Sequence, residues 1–278
     1  MIRLIQCETY KLLRQPRVWL TFGVMTVLMF LINLGMALEG QQMFDLLLNP
    51  LSDQFIISGN LVNGHLIAYV ALNMLWVHIP VLLVIVTGDL ISGEFEAGTI
   101  RIALCSSFSR SQWLTAKLLT AFLYVFFFML FSGVIMLVPA LLVFGGGDLM
   151  VFNAGVQVIE SKEVFWRFLL ALLFGTFGMM TFAAISMLFS ILLRNSLAAI
   201  LVSLGILIVS TLIQTFGMGI FESWRQLLFT WHMAQWQNLF FNDVDFIPLY
   251  RSAGALLLHM VVLISISFIW FKRMKITE

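Results

Sequence analysis

Residues 118–144 read LLTAFLYVFFFMLFSGVIMLVPALLVF, with no Asp, Glu, Lys, Arg or His among them. A hydrocarbon layer about 30 Å thick is crossed by about 20 mostly apolar residues in a helix. This stretch is long enough to cross with tilt. Five more stretches have the same character: 18–38, 66–86, 168–193, 197–216 and 253–271. None of the six contains Asp, Glu, Lys or Arg. The whole chain has 278 residues, 61% hydrophobic and 10% charged. Soluble domains run near 45–50% and about 25%, so lipid must solvate much of this chain. The reading is an all-α membrane protein with six transmembrane helices in a single domain, 1–278.

Charge placement sets the expected orientation. Arg3, Lys11, Arg14, Arg17, Arg101, Arg110, Lys117, Arg194, Lys272, Arg273 and Lys275 fall on one side, eleven of the 15 Lys and Arg residues. Lys162, Arg167, Arg225 and Arg251 fall on the other, with most of the acids, Glu39, Asp45, Asp53 and Asp148 among them. The excess of Lys and Arg marks the cytoplasmic side. Both termini are therefore expected in the cytoplasm, the chain in the cytoplasmic (inner) membrane. The net charge of +1 gives no argument for a nucleic-acid partner. Cys7 and Cys105 both fall on the reducing side, which argues against a disulfide framework.

The first apolar run could be taken for a signal peptide, but it exceeds the 7–15 residues of an h-region and reads as a retained span. Before it, 1–15 reads as an amphipathic surface helix. Ile2, Ile5, Leu12 and Leu13 share one side, while Arg3, Glu8, Lys11 and Arg14 serve the polar side. Pro16 ends it. Pro80 and Pro139 are expected to kink their spans. Ala171 and Gly175 are spaced for close helix packing.

The connection 88–113 is too apolar for a disordered linker. Residues 89–97 read as a short helix stopped by Gly98. Thr99 suits the cap of a second, 100–106, and Ser109 with Gln112 makes a capping box for the next long helix. Phe95, Ile100 and Ile102 are expected to be exposed and to want a partner or the membrane surface.

These residues carry a resemblance. Glu94-x-x-x-Gly98-Thr99, then Ser107-x-Ser109-Arg110 and Lys117, resembles the signature loop of the type-2 permeases of ATP-binding-cassette exporters. Glu8-x-x-Lys11-x-x-Arg14 resembles the start of those permeases. Phe108 stands near the point where the pattern usually has a proline. The resemblance implies an N-terminal elbow helix, a cytoplasmic coupling helix after span two and short external re-entrant helices before span six. It implies docking of a separate ATPase subunit on Glu94, Glu96, Gly98, Thr99 and Arg110, with ATP and Mg on that subunit and none in this chain. It further implies a second permease subunit, identical or homologous. By charge alone Glu94 and Glu96 suit either pairing with a basic partner or simple solvation.

The external segment 217–250 is dense in aromatics: Phe221, Trp224, Phe229, Trp231, Trp236, Phe240 and Phe241. Such residues suit the headgroup layer, and the segment reads as two short helices dipping into the outer leaflet. Asn242, Asp243 and Asp245 read as turn and capping residues rather than a cation site.

No phosphate-binding G-x-x-x-x-G-K-[ST] loop occurs, so the chain has no ATPase motif of its own. His65, His78, His232 and His259 lack metal-ligand spacing. The spans lack the acids of ion-coupled carriers, and His78 and His259, inside them, read as packing or hydrogen-bonded residues. The expectation is therefore a transport subunit rather than an enzyme, moving an amphipathic or apolar cargo such as a lipid, peptide or drug-like molecule. A membrane scaffold binding a partner other than an ATPase, and a self-contained carrier, are the alternatives.

Overall fold

The computed structural model describes residues 1–48, 62–100, 108–152, 156–216 and 222–274. Among them are six helices long and apolar enough to cross a membrane. The elements in order are α1 (Ile2–Leu13), α2 (Pro16–Leu48), α3 (Gly64–Leu75), α4 (His78–Thr87), α5 (Asp89–Glu96) and α6 (Arg110–Phe144). A hairpin of β1 (Leu149–Phe152) and β2 (Val156–Ile159) follows. Then come α7 (Ser161–Leu193), α8 (Ser196–Phe216), α9 (Glu222–Arg225), α10 (Phe229–Met233), a 3-10 helix (Ala234–Phe240) and α11 (Phe246–Arg273). The antiparallel hairpin corrects the all-α expectation: Leu149, Val151 and Ile159 alternate inward, which is how a strand buries one face.

Local chemistry sets the boundaries. Ser109 accepts from the Gln112 backbone and Gln112 answers with its side chain, the expected capping box. Asn63 caps α3 through the Leu66 amide at 3.0 Å, and Asp245 caps α11 through that of Ile247 at 2.9 Å. Asn195 caps α8 through Ala198 at 2.8 Å, just after Arg194 turns left-handed to end α7.

The second span departs from its expected limits of 66–86. It breaks at Trp76 and Val77 into α3 and α4, and then continues through a helical Gly88 into α5. Pro80 explains the break, since it has no amide to give the Trp76 carbonyl. Pro139, by contrast, lies within an unbroken α6.

The core is built around α7 and the α4–α5 stretch, whose apolar parts are 61% and 67% buried, against 22% for α2, α8 and α11. Small residues let neighbours close on it. A Cβ on Gly175 would come within 3.1 Å of the Trp76 ring, so the Ala171 and Gly175 spacing serves the broken span. Gly64 is tighter still, its missing Cβ falling 2.5 Å from the Ala140 carbonyl oxygen of α6.

Two sequence expectations are overturned by packing. On α1 the inward residues are Leu4, Glu8 and Leu12, while Ile2 is 73% exposed. Glu8 is therefore on the buried side, for a reason given below. In the segment before α11, Phe229, Trp236 and Phe240 are core residues, Trp236 tilted on Trp76 with centroids 5.1 Å apart. These aromatics face protein, not headgroups, although Trp224 is exposed as expected. Gly217 and Phe221, and all but Ile100 of the helix expected at 100–106, Ile102 and Cys105 included, lie outside the described residues.

Candidate functional site: the charged cluster around α5

α5 prolongs α4, and Asp89, Leu90, Ile91 and Ser92 are buried. Among the described residues of this connection before Phe108, only Glu96, Ala97, Gly98 and Thr99 form an exposed tip. Gly98 adopts φ +68°, the left-handed stop expected from its position. Ile100 is buried and Phe95 is packed against the core, which corrects their expected exposure.

Every polar side chain of α5 is tied to another helix. Asp89 pairs with Arg17 of α2. Gly93 makes room for this, because a Cβ there would lie 2.8 Å from both Asp89 carboxylate oxygens. The Ser92 amide donates to Ser190 Oγ of α7 at 2.8 Å, and Ser92 Oγ lies 3.2 Å from Ser196 Oγ of α8. Glu96 accepts from Asn195 Nδ2, the Ser196 amide and Ser196 Oγ, each at 2.9 Å. Arg194 lies over the Phe95 ring at 5.5 Å.

Glu94 faces inward. It pairs with Lys117 of α6 and lies 3.7 Å from Lys11 of α1. Lys117 also holds Glu8 at 2.6 Å, and Lys11 holds Glu8 at 2.8 Å. Two carboxylates and two ammonium groups thus form a closed ring joining α1, α5 and α6. Lys117 lies over the Trp113 ring at 5.3 Å, and Trp113 stacks on Phe271 of α11. Beside the ring is a cleft of about 220 Å³ lined by Glu8, Gln15, Arg17, Asp89, Glu94 and Thr99.

The ring shifts the titration of Glu8 and Lys11. Burial alone would raise Glu8, but the Lys117 charge and hydrogen bonds from Lys11 and Lys117 outweigh it, leaving Glu8 below the ordinary carboxylate range. Burial alone would lower Lys11, but Glu8, by hydrogen bond and charge, and Glu94 by charge hold it above the ordinary lysine range. Both groups stay charged at neutral pH.

The five residues singled out from the sequence separate into three sets. Glu94 and Glu96 are both engaged within the chain. Gly98 and Thr99 are at the open tip, with Thr99 Oγ1 3.4 Å from the Glu94 carbonyl. Arg110 donates to the Met274 carbonyl at 2.8 Å and reaches that of Lys272 at 3.4 Å, so it closes the end of α11. The hydroxyls of Ser92, Ser190 and Ser196 were not legible as partners, since isolated serines in apolar runs look like packing residues.

A protein-family model matches residues 54–277, from ahead of α3 to beyond the end of α11. The chain belongs to the DUF2705 family, described as a protein of unknown function. The DUF2705 match takes in Asp89, Glu94, Glu96 and Lys117, while Glu8, Lys11 and Arg17 precede it. No curated protein matches the chain.

At the opposite end, Arg167 of α7 donates to the carbonyls of Leu239, Phe241 and Asn242 and pairs with Glu163. It anchors the 3-10 helix as it turns toward α11. Asn242 thus serves the turn through its backbone and Asp245 serves as a cap, in keeping with the sequence reading. Among the described residues no group of three or more His, Cys, Asp or Glu is placed to hold a metal ion. An apolar cavity of about 420 Å³ lies under this segment, lined by Trp76, Val77 and Pro80 at the broken span, Leu207 and Thr211 of α8, and Met233.

Proposed function

We propose that this chain is the membrane-spanning permease subunit of an ATP-driven exporter of the type-2 ATP-binding-cassette class. A separate ATPase subunit, carrying ATP and Mg, docks on the tip of α5, and a second permease subunit completes the pathway. The α5 end faces the cytoplasm, because it gathers most Lys and Arg residues. The observation that carries this reading is the fastening of α5 to five other helices through Arg17, Lys11, Lys117, Ser190 and Ser196. A load on the exposed tip at residues 96–99 would reach α1, α2, α6, α7 and α8 together. A helix that only set topology would need no such fastening.

In this reading Glu94 and Glu96 position the tip, and Gly98 and Thr99 meet the partner. Arg110 secures the end of α11 beside it. The apolar cavity at the broken span is where cargo contacts this subunit, and its lining suits an amphipathic or apolar molecule. The test is co-purification with the ATPase from the native membrane. Thr99→Arg places a bulky charge on the exposed tip, beside the ion ring but replacing none of its members; it should abolish the complex and its transport-coupled ATP hydrolysis while leaving the melting temperature in place. A complex that survives Thr99→Arg and Ala97→Arg intact would remove the docking assignment.

A further inference from the structure

The molecule has a second groove, of about 600 Å³, between α2 and α3. Its wall is Leu28, Leu31, Ile32 and Met36 of α2 with Val70 and Met74 of α3, and Glu39 and Gln42 stand at its outer end. Leu28 is the midpoint of the apolar part of α2, Pro16–Gly40, and Glu39 is near its far end. Eleven residues of helix rise about 16 Å, half of a hydrocarbon layer about 30 Å thick. The groove therefore runs one leaflet deep, from the headgroup level at Glu39 to the bilayer centre at Leu28, on the side opposite α5.

The charge at its mouth is uncompensated among the described residues. Among the described residues Glu39 has no ion pair. From Glu39 to Asn63 the chain carries Glu39, Asp45 and Asp53 and no Lys, Arg or His. A carboxylate at the rim of an apolar slot favours an occupant with a cation directly at the end of an apolar chain. An ordinary phospholipid fits poorly, because its anionic phosphate would lie against Glu39. Among the described residues the lining has no aromatic cage for a quaternary ammonium, whereas a primary ammonium can donate to Glu39 and to the Gln42 amide oxygen.

We propose that this groove is a binding site for a cationic amphiphile: one apolar chain with a primary amine head held by Glu39. The site is separate from the cavity at the broken span and stands whether or not the chain has an ATPase partner.

The experiment uses the full chain in phosphatidylcholine nanodiscs, with dodecylammonium, dodecyl sulfate and dodecyl maltoside as probes. Binding is measured by equilibrium dialysis after subtraction of protein-free nanodiscs. Saturable binding of the amine, about tenfold tighter than that of either other probe, is expected. Glu39→Gln should remove that margin and leave maltoside binding as it was. Gly35→Leu should fill the groove, since nothing lies within 4 Å of a Cβ there, and so block the amine without lowering the melting temperature. Equal affinity for amine and sulfate, or an amine affinity untouched by Glu39→Gln, would overturn the proposal. Undiminished amine binding in Gly35→Leu would refute the location.

Discussion

The Lys117 ammonium of α6 lies 2.6 Å from the Glu8 carboxylate of α1, with the two side chains only 4% and 3% exposed. Opposite charges taken out of water offset their desolvation only when every partner is present. Here each charge has two partners of the other sign, or one partner and a close second. That is why a residue expected on the solvated face of an amphipathic helix is instead its anchor.

Removing Lys117 should therefore cost more than any surface charge. Lys117→Met leaves Glu8 and Glu94 sharing Lys11 alone, and should destabilise the α1–α5–α6 junction by about 3–5 kcal/mol. Adding Glu8→Gln and Glu94→Gln to Lys117→Met should recover most of that loss, since no unpaired buried charge remains. Thermal unfolding of the purified variants reads both effects. A triple variant no better than Lys117→Met alone would show that the ring contributes by geometry rather than by charge balance.

The attachment of α1 should fail on the acid side. Glu8 is held below its ordinary value of 4.5, so its contribution is present above that pH and is lost as pH falls through the lower folded value. Lys11 is held above its ordinary 10.5, so its contribution is full below that pH and is lost as pH rises through the folded value. Amide exchange of residues 2–13 should be steady across neutral pH, after correction for intrinsic rates, and should accelerate below about pH 4.5.

The segment holding α10 should respond nearer neutrality. His232 lies between Ser252 Oγ at 3.0 Å and the Gln226 carbonyl at 2.8 Å. Burial chiefly, with the neighbouring His259 ring at 6.3 Å, pushes it below the ordinary histidine value of 6.5 despite the Gln226 hydrogen bond. The unfolded chain therefore binds the proton more readily, and the histidine's contribution is present above that ordinary value and fades as pH falls below it. Exchange at residues 226–233 should quicken as pH falls below about 6.5, and His232→Asn should flatten that dependence.

The approach of α3 to α6 leaves no space for a side chain at Gly64. Gly64→Ala puts a Cβ 2.5 Å from the Ala140 carbonyl oxygen, a contact with backbone that no rotamer relieves. A loss of about 1–3 kcal/mol is expected in thermal unfolding. Gly205→Ala, with nothing within 4 Å, is the matched control and should be neutral or better.

The spans, the caps at Ser109 and Asp245 and the stop at Gly98 were legible because each is a local pattern with a local cause. The break at Trp76 was only half legible: Pro80 announces a lost hydrogen bond, but not that Gly175 makes a seat for the Trp76 ring. Glu8 misled because helix periodicity assigns polar residues outward. Its partner Lys117 is over a hundred positions away, and a pairing that distant leaves no mark on the local pattern. The external aromatics misled for a related reason: the same Trp and Phe suit a headgroup layer and a tightly packed core, and only the neighbours, Trp76 and Phe168, decide.

The missing amide of Pro80 divides the second crossing into two halves anchored to different neighbours. Toward α5 the chain is riveted to its surroundings by charges and hydroxyls; beyond Trp76, α3 is pinned at its far end, Gly64 against α6 and Asn63 and His65 on the carbonyls of Asp148 and Gly147. A displacement entering at α5 would reach Trp76 as a rocking of α4 about the bend, because α3 stays pinned beyond it. The place where this helix bends is thus also a wall of the chamber beneath α10, so any such rocking would change the chamber's width.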